Sequence, residues 1–340
     1  MADVDTDDVI GQASDWVKAG KGVALATVIG TWGSSPRPVG SQLAIDGDGA
    51  FVGSVSGGCI EGAVIGEALQ TIKDGKVRTL DFGVSDEQAW EVGLACGGNI
   101  KIFVEQAADP ATMKRLQTER PIAQVTDLAT GTYAIVTPND VSGSLKLSDA
   151  VIARARDTIR DDVSRSVKDE AGDGTEYFIR VFNTPLRMIV VGAVHISQAL
   201  VPMAQLAGYA CTVVDPRGAF ATKERFPGVT LSEDWTDDAL NQLKPDARTA
   251  IITLTHDPKL DDPALEVALQ SNAFYIGALG SSRTHAKRVA RLKEAGLTDT
   301  QIARIGSPVG LDIGAKSPAE IAISILAEVV AAKHGKAKVK

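Results

Sequence analysis

The amino-acid sequence predicts an α/β protein with an N-terminal α/β domain and a C-terminal Rossmann-like domain built on a parallel sheet. The chain has 340 residues, which exceeds one ordinary hydrophobic core and indicates two domains or more. Hydrophobic residues make up 44% of it and 33 residues are glycine, a composition typical of α/β proteins with many tight turns. The last third has the strand, glycine turn, helix and strand order of a Rossmann unit.

The first stretch, through about residue 105, predicts one compact α/β unit. Apolar residues at helical spacing indicate a first helix that ends near Gly20. A second helix starts near Ile60, and Lys73-Asp74-Gly75 is its stop signal. The predicted strands of this unit lie, in order, at residues 23–29, 42–45, 51–55, 78–82 and 100–104.

The next stretch repeats this order of elements without its chemistry. The predicted strands of this second copy lie at residues 122–126, 133–136, 142–145 and 177–181, with a helix at 151–159. Residues 161–174 are charged and contain glycine, so we expect an exposed connection there.

These patterns predict a first domain over residues 1–183 that arose by a divergent internal duplication. Residues 1–105 form its active half and residues 118–183 its degenerate half. The second domain covers residues 184–340.

The second domain begins with the Rossmann layout. A strand at 187–191 enters a turn at Gly192, a helix follows, and the next strand ends at Asp215. That acid lies 23 residues after the glycine, where a Rossmann domain binds ribose hydroxyls. The second and third glycines of the phosphate-binding fingerprint are replaced by Val194 and Ser197. A valine side chain then stands where a pyrophosphate must touch the backbone, so the pattern predicts the fold without ordinary NAD(P) binding.

Two further strands end in polar loops that carry His256, Asp257 and Arg283. In a parallel sheet the loops after the strands line the ligand crevice, so we expect these residues to meet Gly192 at one mouth. An alternative for His256 and Asp257 is the capping of the helix that follows them, and the sequence leaves both interpretations open. A final helix is predicted at 318–332.

Two cysteines surrounded by glycine are the most informative feature of the chain. The motifs are Gly57-Gly58-Cys59 and Cys96-Gly97-Gly98. Glycine permits positive φ angles and close approach of a bulky partner, so both motifs indicate a thiol displayed beside a ligand-sized space. Cys59 is expected at the N-terminus of the second helix, where free N–H groups and the helix dipole favour a thiolate or a bound phosphate. The alternative is a half-buried thiol in a tight turn.

Charge and composition argue against several classes of protein. The net charge of −8 argues against a nucleic-acid partner. No apolar run approaches the ~18–20 residues that span a bilayer, and the acidic start does not resemble a signal peptide, so we expect a cytoplasmic protein. Three cysteines at wide spacing form neither a disulfide framework nor a zinc site. Cys211, inside a predicted strand, is interpreted as a core residue.

Long motifs in a fixed order connect these features to a known family. They are Gly33-Ser34-Ser35-Pro36-Arg37-Pro38, Ser54-Val55-Ser56-Gly57-Gly58-Cys59-Ile60-Glu61, Gly93-Leu94-Ala95-Cys96-Gly97-Gly98, Val214-Asp215-Pro216-Arg217, Thr255-His256-Asp257-Pro258-Lys259 and Pro308-Val309-Gly310-Leu311-Asp312-Ile313-Gly314. Through them the chain resembles, over nearly its whole length, the XdhC/CoxI family. Members of that family are accessory proteins for the maturation of molybdenum hydroxylases such as xanthine and carbon monoxide dehydrogenases. The chain departs from the family pattern, Gly-Ala-Gly-His-Val-Gly, at residues 192–197.

The resemblance implies a chaperone that binds the molybdenum cofactor, as molybdopterin or molybdopterin cytosine dinucleotide. It also implies help in cofactor sulfuration and insertion into an apo molybdenum hydroxylase of the xanthine/CO dehydrogenase type, with a cysteine desulfurase as a further partner. Cys59 and Cys96 are expected to handle the cofactor or its sulfur, with Cys59 as the contact to molybdenum. The expected cofactor-binding residues are Arg37, Gly57, Gly58, Cys59, Glu61, Gly97, Gly98, Gly192, Asp215, His256, Asp257 and Arg283.

Two other classes stay open on the sequence alone. An NAD(P)-dependent oxidoreductase would use Asp215 on a ribose and His256 as a general acid, whereas a scaffold protein would bind no cofactor and use its glycines only for turns. If one extended cofactor spans both domains, Cys59, Cys96, Asp215 and His256 face a shared crevice, within one protomer or across a dimer. We expect a homodimer because closed twofold assemblies are the commonest.

Overall fold

The computed structural model describes residues 8–33, 37–83, 98–170 and 172–336, and within them the predicted α/β fold is confirmed. The chain divides into two compact units, residues 1–184 and 185–340. In the described ranges, no helix combines the length and the apolar character that crossing a bilayer requires.

The first unit contains two five-stranded antiparallel sheets. The elements of the first sheet and its helices are α1 (Val9–Lys18), β1 (Val23–Trp32), β2 (Gln42–Asp46), β3 (Phe51–Gly53), α2 (Glu61–Asp74), β4 (Arg78–Phe82) and β5 (Asn99–Gln106). Those of the second are α3 (Pro110–Thr118), β6 (Ile122–Asp127), β7 (Tyr133–Val136), β8 (Val141–Gly143), α4 (Asp149–Asp161), β9 (Arg165–Lys168) and β10 (Glu176–Phe182).

The two sheets share one topology. Their strand orders are β3-β2-β1-β5-β4 and β8-β7-β6-β10-β9, so each strand of the first sheet has its counterpart in the second. A helix precedes the first strand of each set, and another lies between its third and fourth strands. This repeated order is what the predicted internal duplication requires.

Strand β1 links the two sheets because both of its faces are buried. Ala24 and Ala26 belong to a hydrophobic cluster that includes residues of α2. The alternate residues Val23 and Leu25 point to the opposite face and share a cluster with Met113 of α3 and residues of β6 and β7. The core of the first unit therefore lies on both faces of β1.

The structure corrects our expectation for residues 161–174. They contain β9, which pairs antiparallel with β10, rather than only an exposed connection. The Ser166 hydroxyl also donates to the Ile29 carbonyl at 3.0 Å. The polar composition concealed this strand because Val167 is the one hydrophobic residue of its four, and Ser166 and Lys168 are exposed. The repeat of elements also begins before residue 118, because α3 precedes β6 as α1 precedes β1.

The second unit contains one six-stranded parallel sheet. Its strands are β11 (Leu186–Val191), β12 (Tyr209–Val214), β13 (Thr230–Ser232), β14 (Thr249–Thr253), β15 (Tyr275–Ala278) and β16 (Ile305–Gly306). Its helices are α5 (His195–Leu206), α6 (Thr236–Leu243), α7 (Pro258–Gln270), α8 (Ser282–Glu294), α9 (Asp299–Ile302) and α10 (Pro318–Lys333).

The strand order, β13-β12-β11-β14-β15-β16, is the Rossmann order 3-2-1-4-5-6 counted from β11. Separate hydrophobic clusters cover the two faces of the sheet. Cys211 is buried in one of them as predicted, and burial raises its pKa to about 12. The order reverses between β11 and β14, and the loops that follow these strands therefore border the crevice where such sheets bind ligands.

We expect Phe103→Ala to lower the free energy of unfolding of the first unit by about 3–5 kcal/mol. Phe103 of β5 is 1% exposed and clusters with Ile29 and Phe178, so its removal leaves a cavity between the two sheets. Phe51→Ala is the matched control, because Phe51 is 51% exposed in β3. Urea unfolding of the full chain checks this, and equal losses in the two variants would contradict the packing described.

Candidate functional site

Cys59 lies in the turn between β3 and α2 and is a half-buried free cysteine. Gly57 and Gly58 precede it with φ angles of +79° and +114°. A Cβ atom added to Gly58 would meet nothing within 4 Å, so the backbone angle rather than lack of space requires glycine there. Helix α2 begins at Glu61, so the thiol stands two residues ahead of the helix, after the predicted Gly-Gly turn.

The carboxylate of Glu61 organises this turn. One of its oxygens accepts hydrogen bonds from Ser54 Oγ at 2.7 Å, Val55 N at 3.2 Å and Ser56 N at 2.9 Å. The other accepts from the Ser56 hydroxyl and from Gly58 N at 2.9 Å. Glu61 is only 7% exposed, so these donors replace the water that a carboxylate needs. The structure thus places Glu61 beneath the turn as an internal support.

Hydrogen bonding keeps Glu61 ionised despite its burial. Burial acts to raise its pKa, but the hydrogen bonds from Ser56 and Ser54 outweigh that effect and lower the pKa to about 2. The negative charge is therefore held at neutral pH, next to the first turn of α2, where the helix dipole favours it.

The two serines complete the turn, and they were absent from our predicted site. Ser56 Oγ accepts from Cys59 N and Ile60 N, both at 3.1 Å, and Ser54 Oγ accepts from Gly57 N at 2.8 Å. The sequence signal was two hydroxyl residues just before the glycines, since short hydroxyl side chains bond to nearby backbone in turns. The N–H groups that we expected to face a phosphate are thus used within the turn, and the Cys59 side chain is half-buried against a hydrophobic cluster.

Of the other predicted residues of the first unit, two lie within the described ranges and two outside them. Arg37 is half-buried, and Gly98 is buried directly before β5. Ile100 of β5 belongs to the hydrophobic cluster against which Cys59 packs, so the start of β5 and the Cys59 turn border one core. Cys96 and Gly97 lie outside the described residues, and their roles stay predictions.

The glycine turn after β11 satisfies its own donors. Gly192 has a φ of +109°, and a Cβ there would lie 2.7 Å from the Thr255 methyl group, so only glycine fits. Ala193 N donates to Asp215 Oδ2 at 2.8 Å, and Val194 N donates to Ser197 Oγ at 3.0 Å. In a dinucleotide-binding Rossmann turn such amides face the pyrophosphate. Here the side chains of Asp215 and Ser197 accept hydrogen bonds from these amides, so the amides are not free for a pyrophosphate. The replaced glycines at positions 194 and 197 oppose pyrophosphate binding as well.

The carboxylate of Asp215 is also occupied. It is fully buried and accepts from Arg217 Nε at 2.8 Å and Arg217 Nη2 at 2.7 Å, besides the Ala193 amide. Burial acts to raise the pKa of Asp215, but these hydrogen bonds prevail and lower it. The acid at the end of β12 is where the sequence predicts it, in an ion pair rather than an open ribose site.

His256, in the loop after β14, and Arg283 line one cavity of about 230 Å³. Arg283 was expected in a polar loop but lies in the first turn of α8, because Ser281 caps that helix. His256 has a φ of +63°, a conformation that residues other than glycine seldom adopt. Asp257 is the N-cap of α7, with Oδ1 accepting from Lys259 N at 3.0 Å. Helix capping, the alternative left open for this pair, is therefore the observed role of Asp257. Gly192 contacts the same loop through Thr255.

Comparison with known proteins identifies the class of protein that this fold and site define. Residues 188–329 match the model of the XdhC Rossmann domain, and residues 16–83 match that of the XdhC and CoxI family. The chain belongs to the XdhC/CoxI family.

Individual relatives match across both units. A protein of Escherichia coli (strain K12) named molybdenum cofactor insertion chaperone PaoD is 28% identical over 96% of this chain and 90% of its own length. A protein of Bacillus subtilis (strain 168) named as a probable xanthine dehydrogenase subunit is 27% identical over 90% of this chain and 92% of its own. A crystal structure described as a xanthine dehydrogenase from Bacillus halodurans superposes with a TM-score of 0.77 at 26% identity, covering 97% of both chains.

We expect Glu61→Gln to destabilise the first unit by about 1–3 kcal/mol at neutral pH, because a carboxamide cannot accept all five hydrogen bonds. Folding lowers the pKa of Glu61 from 4.5 to about 2, so its ionised form stabilises the fold above about pH 4.5 and loses that effect as the pH falls towards 2. The difference between the variant and the parent should therefore shrink on acidification. Glu67→Gln is the control, because it removes a half-exposed carboxylate of the same helix that pairs with Arg78 Nε at 3.1 Å. Chemical unfolding from pH 7 to pH 3 is the measurement, and a pH-independent difference for Glu61→Gln would disprove this role.

We expect free NAD and NADP to bind with a Kd weaker than about 1 mM, because protein groups hold the Ala193 and Val194 amides. A Val194→Gly, Ser197→Gly double variant restores the fingerprint glycines and frees one amide, so its affinity should rise. Isothermal titration calorimetry measures both, and micromolar binding to the unaltered chain would favour the oxidoreductase alternative.

Proposed function

We propose that this chain is a maturation chaperone that binds the molybdenum cofactor and assists its sulfuration and insertion into a molybdenum hydroxylase of the xanthine/CO dehydrogenase type. The observation that carries the proposal is the Cys59 turn, in which a buried carboxylate and two serines fix two positive-φ glycines and present one thiol. The name of the relative PaoD, which matches 96% of this chain, supports the insertion role.

The residues of the turn fit a metal that arrives with ligands of its own. Within the described ranges, no three His, Cys, Asp or Glu side chains come together to hold a bare metal ion. Soft thiolate ligands suit soft metal centres, so Cys59 can add one sulfur contact to molybdenum. The cofactor, when bound, supplies a molybdenum centre on a pterin dithiolene. The protein supplies a fixed sulfur position, because the five hydrogen bonds to Glu61 restrain the backbone on either side of the thiol.

The finer parts of the proposal follow from the family. A cysteine desulfurase is the source of the sulfur, an apo molybdenum hydroxylase in the cytoplasm receives the loaded cofactor, and the chaperone acts as a homodimer. Gly57, Gly58, Gly98 and Arg37 line the cofactor side of the first unit, with Cys96 and Gly97 completing it. In the second unit, Asp215 and Asp257 position the turn and the loop, while His256 and Arg283 offer their side chains to the ligand.

The oxidoreductase and scaffold alternatives fit the site less well. A nicotinamide dinucleotide needs backbone amides for its pyrophosphate and a free acid for its ribose. In the glycine turn the amides donate to Asp215 and Ser197, and the acid, Asp215, is paired with Arg217. A scaffold would use its glycines only for turns, whereas the name of the relative PaoD, a molybdenum cofactor insertion chaperone, supports a role in which a cofactor is bound.

We expect Cys59→Ala to abolish client maturation while leaving the fold intact. The half-buried thiol is the group that the turn presents, and removing one sulfur atom leaves the Glu61 hydrogen bonds in place. Co-expression of each variant with an apo molybdenum hydroxylase, followed by assay of client activity and cyanide-releasable sulfur, measures the effect. Cys96→Ala should give a partial loss.

Cys211→Ala is the control for loss of a thiol elsewhere, since Cys211 is buried in the second unit. It should mature the client like the parent apart from a small loss of stability. Normal maturation by the Cys59→Ala variant would refute the proposed role of the thiol.

A further inference from the structure

A charged cavity in the second unit is not explained by the Cys59 site. It lies between the loop after β14, helix α7 and helix α8, and it is lined by His256, Asp261, Arg283, Lys287, Arg288 and Arg291. Below it is called the Arg288 cavity. It opens at the carboxyl end of the parallel sheet, one strand beyond the reversal of strand order, where α/β domains bind their ligands.

Arg288 is the unusual group in this cavity. It is 2% exposed, its Nη2 donates to the Leu279 carbonyl at 2.8 Å, and the same nitrogen lies 3.6 Å from Asp261 Oδ2. Its Nε and Nη1 are buried and have no hydrogen-bond partner among the described residues. Buried donors are nearly always satisfied, so two unsatisfied nitrogens of one guanidinium point to a partner that binds there. The N–H bonds of Nε and Nη1 lie on either side of Cδ and point in different directions, so each nitrogen offers a single charge-assisted hydrogen bond to an anionic oxygen.

The charges around Arg288 leave the cavity positive. Asp262 is neutralised by a two-point ion pair with Arg291. Asp261 faces Arg288, and its Oδ1 accepts from Thr255 Oγ1 at 2.7 Å. Arg283 and Lys287 are exposed, lie one helical turn apart, and make no ion pair with a described residue. In a chain with a net charge of −8, this concentration of unpaired positive charge favours an anion.

The size of the cavity limits what it can hold. Its volume of about 230 Å³ is below the roughly 300–1,000 Å³ of pockets that enclose whole small molecules. A phosphate or diphosphate group fits within it, whereas a complete pterin or nucleotide does not. The cavity is therefore suited to the charged end of a larger ligand.

We propose that the Arg288 cavity binds the phosphoryl end of the cofactor, with Arg288 as the inner ligand and Arg283 and Lys287 as outer ligands. The identity of the ligand rests on the proposed function, whereas the anion site itself rests on the cavity alone. This places phosphate recognition in the second unit at the loops after β14 and β15, and not at the glycine turn after β11, whose amides are occupied.

Titration of the full-length protein with inorganic pyrophosphate and, separately, inorganic phosphate tests the anion site. The parent should bind pyrophosphate, and Arg283→Gln and Lys287→Gln should each weaken binding by about tenfold, as expected for the loss of one charge-assisted contact. Lys293→Gln is the matched control, because it removes the same charge from the last turn of the same helix, outside the cavity. An Arg288→Met, Asp261→Asn double variant removes both buried charges together and should abolish binding.

The pterin content of the same variants, purified from the native host, separates this proposal from the function on which it rests. Loss of both pyrophosphate affinity and pterin in Lys287→Gln supports the assignment. Loss of pyrophosphate affinity with unchanged pterin overturns the cofactor as the ligand. Failure of the parent to bind pyrophosphate, or equal binding by Lys287→Gln and Lys293→Gln, overturns the anion site. A parent that carries no pterin contradicts the proposed function, while the pyrophosphate titration still decides the anion site.

Discussion

The buried carboxylate of Glu61 is the constraint on which the Cys59 turn depends. An ionised carboxylate can be taken out of water only if hydrogen-bond donors replace the water, and five donors from residues 54–58 do so. To aim those donors at one point, the chain must turn back on itself, and the φ angles of Gly57 and Gly58 allow that turn. The position of the Cys59 thiol follows from this network, because Ser56 binds the Cys59 amide with the same hydroxyl that donates to Glu61.

Hydrogen bonding of buried polar groups also distinguishes two places in the second unit, the glycine turn after β11 and the Arg288 cavity. At the glycine turn after β11, Asp215 and Ser197 satisfy the backbone amides, and Arg217 satisfies Asp215, so no donor of this set is left for a dinucleotide. At the Arg288 cavity, two nitrogens of a buried guanidinium remain without a partner among the described residues. The sheet thus keeps the Rossmann topology, but the proposed anion site is the Arg288 cavity and not the glycine turn after β11.

The sequence predicted most of the fold because its signals are local. Helix α2 shows its apolar spacing and ends at Gly75 with a left-handed φ, as the stop signal predicted. In the first unit the two elements that were missed, α3 and β9, are short, and pairing with β10 rather than composition makes β9 a strand. In the second unit β13, α6, α8, α9 and β16 were not predicted either. In the candidate site, the turn before Cys59 was predictable because two consecutive glycines precede the start of a helix. Ser54 and Ser56 left a signal as hydroxyl residues beside the glycines, but their bonds to Glu61 appear only in the folded turn. The role of Arg288 was not predictable, because it depends on contacts with Leu279 and with Asp261 of another helix.

We propose that the ordered Cys59 turn belongs to a protein that carries the molybdenum cofactor. The most direct measurement is absorbance and mass analysis of the small molecule released from the full-length protein after anoxic purification from its native host. We predict that a pterin bearing a phosphate or a cytidine diphosphate arm is released. Release of a nicotinamide dinucleotide, or of no small molecule at all, would contradict it.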